Sequence, residues 1–350
     1  MSRIITGDWH AHNWNKFSMI LEDGRNSRFQ DLLNVLDQIS GYIDEYKPEE
    51  MIHLGDWTHR RHFISFSVLL PLLEKTVALC NKVGRSYFLV GNHDWEDSAR
   101  YSSVGLLGMV SSLSSHPVCV IDGPSTIIVG KKPLLFVPYL PGDGVVDAVL
   151  ESSRNISKKI HRAFIHYAAE GKMLESEYQL PSLLRKTGLC HIERTYFGHV
   201  HNPSEEGSLV YVGAPMHFDF GDSGPRYCVL EEDDGGIKWL PLSYPRFVTC
   251  SYPRVPAKSF DERGFLRVLG APAREFQEII GSAKSMGWDQ VAPMEASVPP
   301  ELVLALTSSL QVDRGLLENY VTEKYPDLSG LERQSLIDWG VDCLKRAGGL

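Results

Sequence analysis

Cysteine is sparse and scattered in this chain. Six thiols (Cys80, Cys119, Cys190, Cys228, Cys250 and Cys343) are spread over 350 residues, and none forms a C-x-x-C pair. That leaves zinc-finger spacing and a disulfide framework without support and fits a reducing cytoplasm. Long apolar runs are missing too, so no segment reads as a membrane-spanning helix. The N-terminus enters an apolar run by Ile4, with no basic region and apolar core of a secretory signal ahead of it. A soluble, cytoplasmic protein without membrane association is expected. A phosphate-binding G-x-x-x-x-G-K-[ST] loop is lacking as well, since Val-Gly-Lys-Lys at 129–132 has no such loop. Positive charge is in deficit: the formal net charge is −9, which argues against a generic polyanion binder but leaves room for a local basic patch.

What the chain does have is apolar content and punctuation. Hydrophobic residues make up 43%, with 30 Gly and 20 Pro, enough to bury a large core in two domains or in one domain with appendages. Strand-like runs include RIIT, MIHL, SYFLV, PVCVI, TIIV, PLLFV, RAFIH, RTYF, LVYV and YCVLE. Between the first three lie two helical patterns. In the first, Phe29, Leu32, Leu33, Leu36, Ile39 and Ile43 recur at helical spacing, and the pattern stops at Lys47-Pro48. The second runs from Phe66 and is expected to end at Gly84, with Pro71 as a kink or a first-turn residue. Strand–helix–strand–helix–strand implies right-handed crossovers and a parallel sheet. Later strands lie closer together, and EEDDGGIK reads as a hairpin turn, so the later half is expected to be antiparallel or mixed. Beyond residue 251 a linker-like stretch leads to a small strand–helix–strand unit. A second linker follows at 292–300, then a helical tail opened by a capping box from Ser329 to Glu332.

The informative feature is what ends the apolar runs. Residues 88–95 read FLVGNHDW, an apolar strand running straight into Asn-His-Asp. The first run ends at Asp8 and His10, the second at Asp56, the third at Asn92 and His93, a later one at His166 and another at His199 and His201. In open α/β sheets ligands sit outside the carboxyl ends of the strands, so these groups would converge on one site. Oxygen and imidazole donors without thiolate suit manganese, magnesium, iron or zinc. Asp8, His10, Asp56, Asn92, His166, His199 and His201 are too many for one open ion and suit two ions sharing a carboxylate. Two cations would also offset the cost of burying those polar groups. Arg60 and Arg61, just after the second block, are candidate phosphate contacts, as are Lys131, Lys132, Lys158, Lys159 and Arg162.

The blocks GDWH, GDWTH, GNHD, IHY and GHVH resemble the five signature blocks of the calcineurin-like metallophosphoesterases, over about residues 1–245. The resemblance implies an α/β fold: a four-layer αββα sandwich core, here with a small α/β cap domain and a helical C-terminal tail. It implies that Asp8, His10 and His201 hold one divalent ion and Asn92, His166 and His199 another, with Asp56 bridging. His93 would act at the leaving group or the phosphate, with Asp94 orienting it. The second block, GDWTHRRH, lacks the protein-phosphatase pattern and is similar to SbcD-type nucleases of double-strand-break repair, in which His59 would be a second active-site histidine. VYVGAPMHFDFGDSGPR resembles a stretch of short phage-encoded SbcD-like subunits, with Gly213-Ala214 where that family has Gly-Ser.

This likeness implies a nuclease domain over 1–250, a DNA-capping domain over 251–295 and a helical segment over 301–350 that docks on a partner. It further implies a metal-dependent DNA exonuclease/endonuclease with two divalent ions, manganese first. Its partners would be DNA, a second copy of the chain and an SbcC-like coiled-coil ATPase, in the host cytoplasm if phage-encoded. A phosphoesterase acting on a nucleotide or other small molecule is the alternative.

Overall fold

The computed structural model describes residues 1–95, 104–142, 145–156, 159–169 and 184–294, with Gln334 and Ile337 beyond them. Lys158, Ser329 to Glu332 and the rest of the expected tail lie outside the described residues.

Two six-stranded sheets pack face to face. The first is ordered β12-β11-β1-β2-β3-β4 and the second β5-β6-β7-β8-β10-β9. In the first sheet, β1 (Arg3–Thr6), β2 (Glu50–His53), β3 (Arg85–Leu89) and β4 (Val118–Ile121) run parallel. The hairpin of β11 (Arg226–Glu231) and β12 (Ile237–Leu242) adds antiparallel to β1, closed by a bond from Glu232 N to Gly236 O of 2.8 Å. In the second sheet, β6 (Lys132–Val137), β7 (Ile160–Ile165), β8 (Ile192–Phe197) and β10 (Leu209–Tyr211) are parallel. Short antiparallel strands β5 (Ser125–Val129) and β9 (Ser204–Glu206) form its edges.

The period-2 alternation of strands explains the continuous apolar runs, because both faces are buried. In β3, Tyr87 and Leu89 face the second sheet while Phe88 faces α1 and α2. In β7, Phe164 faces the first sheet while Ala163 and Ile165 face α4. A row of stacked rings, Tyr87–Phe136–Phe164–Tyr196, crosses the seam at centroid spacings of 4.9, 5.1 and 5.5 Å. Helices α1 (Ser27–Tyr46), α2 (Phe66–Cys80) and α3 (Val104–Leu113) cover the outer face of the first sheet, and α4 (Val145–Ile156) that of the second. The layers are therefore αββα.

Helix α1 starts where the Asn26 side chain accepts from Arg28 N and Phe29 N, and it ends with Lys47 in the left-handed region at φ 51°, just before Pro48. Helix α2 departs from expectation. It ends at Cys80 with Asn81 as its cap and Pro71 in its interior. Gly84 instead donates its N–H to Glu49 O at 2.9 Å and starts the link into β3.

A third, all-parallel sheet, β13 (Arg246–Ser251), β14 (Gly264–Leu269) and β15 (Gln290–Met294), carries α5 (Phe276–Ser285) on one face. It begins at Arg246, earlier than the boundary expected at 251. Its other face docks on the sandwich. Arg28, buried on α1, lies 4.7 Å from the Phe247 ring and 5.5 Å from Phe265, and donates to His217 O at 2.9 Å. Arg263 pairs with Asp31 on α1.

Candidate active site

The expected residues meet at the carboxyl ends of β1, β2, β3, β7 and β8. The loops after β1 and β2 are stitched together beyond the sheet: Asp8 N donates to Gly55 O at 2.8 Å and His10 N to Asp56 O at 2.9 Å. The tryptophan of each Gly-Asp-Trp anchors its loop, Trp9 Nε1 to Thr6 Oγ1 at 3.0 Å and Trp57 Nε1 to Thr76 Oγ1 at 3.1 Å. Asp8, His10, Asp56 and His199 all have positive φ, at 51°, 44°, 56° and 75°. Side chains rarely adopt that region, and such strain clusters where surrounding structure holds functional groups in place.

Glycine precedes four of these ligand candidates because the loops crowd. A Cβ on Gly55 would lie 2.3 Å from His166 Nδ1, and one on Gly91 only 2.1 Å from Asp56 Oδ1. Gly91→Ala is thus expected to push Asp56 out of place, costing about 1–3 kcal/mol of stability by overpacking and nearly all hydrolytic activity. Thermal denaturation and a phosphodiesterase assay on the same preparation check it.

The side chains expected from sequence fall into overlapping groups. Ligand atoms of Asp8, His10 and His201 lie within 4.8 Å of one another, and so do those of Asp56, His166 and His199. Asn92 Oδ1 sits 3.0 Å from His166 Nε2 and 2.9 Å from His199 Nδ1. Asp56 Oδ2 lies between the groups, 3.4 Å from His10 Nε2 and 3.5 Å from His166 Nε2.

The donor chemistry fits cations. His166 Nδ1 donates to Leu54 O at 2.6 Å, so Nε2 is the nitrogen turned inward, 3.0 Å from Asn92 Oδ1. His201 Nδ1 donates to Asp222 at 3.3 Å, leaving its Nε2 3.1 Å from His10 Nε2. Fixing one imidazole nitrogen with a hydrogen bond to free the other is how ligand histidines are oriented. Burial pushes the Asp8 carboxyl up to about 6 and lowers His10 and His199, the latter to about 3. Burial also opposes charge on His166 and His201, but Asp56 and Asp222 respectively override it and lift both to about 9. The centre holds carboxylate and imidazole groups at close range, a set that could bind divalent metal.

His93 lies beside these groups. Its Nδ1 donates to His59 O at 2.6 Å, and its ring stacks on His59 at 5.1 Å and 17°. Its backbone N–H, not its ring, donates to Asp56 Oδ1 at 2.8 Å. Burial, then the neighbouring His93, lower His59 to about 3. His10, His59 and His93 also come within reach of a common ion. Asp94 accepts from Trp57 N, Thr58 N and Gly91 N at 3.1, 3.1 and 3.0 Å, so it ties the second and third loops together.

The basic candidates separate. Arg60 lines the cleft of about 1120 Å³ over the centre. Arg61 is half-buried and is not among that lining. Lys131, Lys132, Lys159 and Arg162 lie near the strand starts, at the far end of the sheets. Arg162 is buried and paired with Glu231, and Lys159 pairs with Glu193 at 2.7 Å. Lys159 and Arg162 thus serve ion pairs where strands begin.

Two residues of the 210–226 stretch take roles that sequence reading did not assign them. Asp222, buried, orients His201 and accepts from Arg226 Nη2 at 2.9 Å, while Arg226 Nη1 donates to His201 O. Gly213, at φ 81°, lets the chain pass His201 O, and Ala214 N donates to that oxygen at 3.0 Å. Asp222→Asn should weaken metal binding or activity by about 10–100-fold, the usual cost of losing a ligand's orienting partner. Metal titration of variant and parent reads it directly.

A sandwich of two sheets with Asp, Asn and His donors at the strand ends is the arrangement a metal-dependent phosphoester hydrolase requires. The chain belongs to the calcineurin-like phosphoesterase family, whose sequence model matches residues 1–203. No curated protein matches the chain. Among solved structures it is similar to Yfce, a phosphoesterase from E. coli, with 13% identity over 68% of this chain and 96% of that one and a TM-score of 0.31. It is also similar to TT1561 of Thermus thermophilus, with 9% identity, 69% and 98% coverage and a TM-score of 0.42. A dimetal phosphatase from Danio rerio gives 10% identity, 66% and 91% coverage and a TM-score of 0.41. Among the described residues, no helix is long and apolar enough to cross a membrane.

Proposed function

We propose that the chain is a metal-dependent nuclease that hydrolyses DNA phosphodiesters, as the nuclease subunit of an SbcCD-like complex. The observation that carries this reading is the pairing of a dense ligand set with His59 and His93 at the floor of one wide cleft. At about 1120 Å³ the cleft exceeds the roughly 300–1,000 Å³ of ordinary small-molecule pockets and is bordered by Lys16, Arg60 and Arg267.

Asp8, His10 and His201 would hold one divalent ion and Asn92, His166 and His199 the other, with Asp56 shared. Manganese is the ion proposed, with magnesium, iron or zinc as substitutes. Bound cations would acidify water and neutralise phosphoryl oxygens. The residues do the rest. His59 O fixes His93 by its Nδ1 proton, so Nε2 faces the cleft and can protonate the departing 3′-oxygen. Arg60, exposed at the rim, meets backbone phosphate without reading sequence.

Digestion of end-labelled duplex and single-stranded DNA with manganese, abolished by chelation, is the test. Hydrolysis of a cyclic nucleotide without digestion of DNA would favour the small-molecule reading instead. The roof that Phe247, Ala292 and Met294 place over the cleft would suit that substrate too. The proposal extends to a second copy of the chain and to an SbcC-like ATPase docked on 301–350. Deleting that segment should abolish copurification with such an ATPase, and undiminished association would sink this part.

A further inference from the structure

The cleft carries a chemistry that cation binding does not use: its wall toward the cap is aromatic. We propose that Phe17 and Phe220 form a stacking platform for an unpaired nucleobase beside the phosphodiester being cut, so that single-stranded ends are preferred over paired ones. This rests on the nucleic-acid reading above and adds to it the form of substrate.

Phe17 sits at φ 59°, a backbone conformation that an aromatic residue adopts only under constraint. The constraint is visible: its ring packs edge-on against Phe220 at 5.2 Å and Phe247 at 5.5 Å. Phe247 and Phe265 beneath are buried, whereas Phe17 and Phe220 stay half-exposed. Both half-exposed rings line the same cleft as His10, Asp56 and His93. A structure that holds an aromatic ring in a strained backbone only to leave it partly in water has placed it for a contact.

Charge fits the same occupant. The Arg267 guanidinium lies 4.7 Å from the Phe220 ring, and exposed Lys16 adjoins Phe17. A base attached to a phosphate backbone would find a ring face and positive charge together, the combination that binds single strands. A second set of rings in the same cleft lies at the chemistry. His93 stacks on His59, Trp14 lies 4.3 Å from His59, and Trp14 stacks on Phe218 at 5.4 Å. A paired base keeps its faces inside the duplex stack except at the terminal pair, whereas an unpaired base can offer both its face and its backbone to the platform.

The test uses the full chain with manganese and three labelled substrates: a single-stranded oligonucleotide, the same strand with abasic residues at its end, and a blunt duplex. The intact strand is expected to exceed the abasic one in kcat/KM by roughly tenfold or more, mostly through KM, given what stacking one base contributes. It should exceed the blunt duplex as well. In Phe17→Leu and Phe220→Leu the ratio of intact to abasic should fall toward one. Equal rates on intact and abasic strands in the parent protein would overturn the platform, and that comparison needs no variant to fold. A ratio unchanged by both substitutions would overturn it too. Failure to cut any nucleic acid, with hydrolysis of bis(p-nitrophenyl) phosphate retained, would overturn the nuclease reading itself and the platform with it.

Discussion

Asp56→Asn should lower phosphodiester hydrolysis about a thousandfold or more, the scale of losing a preorganised electrostatic group. The side chain has three tasks. Oδ2 lies between the two ligand groups, 3.4 Å from His10 Nε2 and 3.5 Å from His166 Nε2. Oδ1 accepts the His93 backbone N–H at 2.8 Å. Its charge is what lifts His166 to about 9 against burial. Burial would raise the Asp56 carboxyl itself, but His166 and His10 hold it well below the usual range, so at neutral pH it is an anion. Asparagine keeps the shape, and its side-chain oxygen can still take the His93 N–H. The charge that Asp56 is proposed to share between two cations is gone. Metal content measured on the purified variant should fall by one ion or both alongside the rate. Full metal content with an unaltered rate would show that Asp56 is not the shared ligand.

His93→Ala separates chemistry from metal binding. Loss of a positioned acid costs about 10²–10⁴-fold, and that loss is expected on DNA. The contact that ties this position to Asp56 is made by the backbone amide, which alanine retains, so the ligand set should survive. Both ions are therefore expected to remain bound. An activated ester such as bis(p-nitrophenyl) phosphate, whose leaving group departs without a proton, should suffer much less than DNA. That difference between substrates is the signature of a proton donor. Ions lost from the variant would instead assign His93 to the group it forms with His10 and His59, as a ligand.

The parts of the site that are legible in sequence share one property. Each Asp, Asn or His directly ends an apolar run, so the conflict between burial and polarity stands out in the linear chain. Asp222 has no such contrast. It lies in the turn-rich stretch after Phe218, and only folding shows that its carboxylate is buried against His201 and Arg226. Lys159 and Arg162 show the opposite case. A run of Lys and Arg looks available in sequence, while Glu193 and Glu231, which consume Lys159 and Arg162, are far along the chain. The fold is read well where periodicity is strong, as in α1 and the parallel strands. It is read poorly at β13, whose residues follow directly on the β11–β12 hairpin yet pair with β14 in the third sheet. Strand partners are a tertiary choice that local pattern does not carry.

Arg28 has a consequence for how the molecule comes apart. One guanidinium on α1 bonds to the carbonyls of His217 and Phe218 and lies against Phe247 and Phe265. Loosening the third sheet would therefore take the Phe247 and Phe265 rings off a cation buried on the sandwich. The sandwich and the third sheet are expected to share one calorimetric transition, and two resolved transitions would show that these contacts do not couple them.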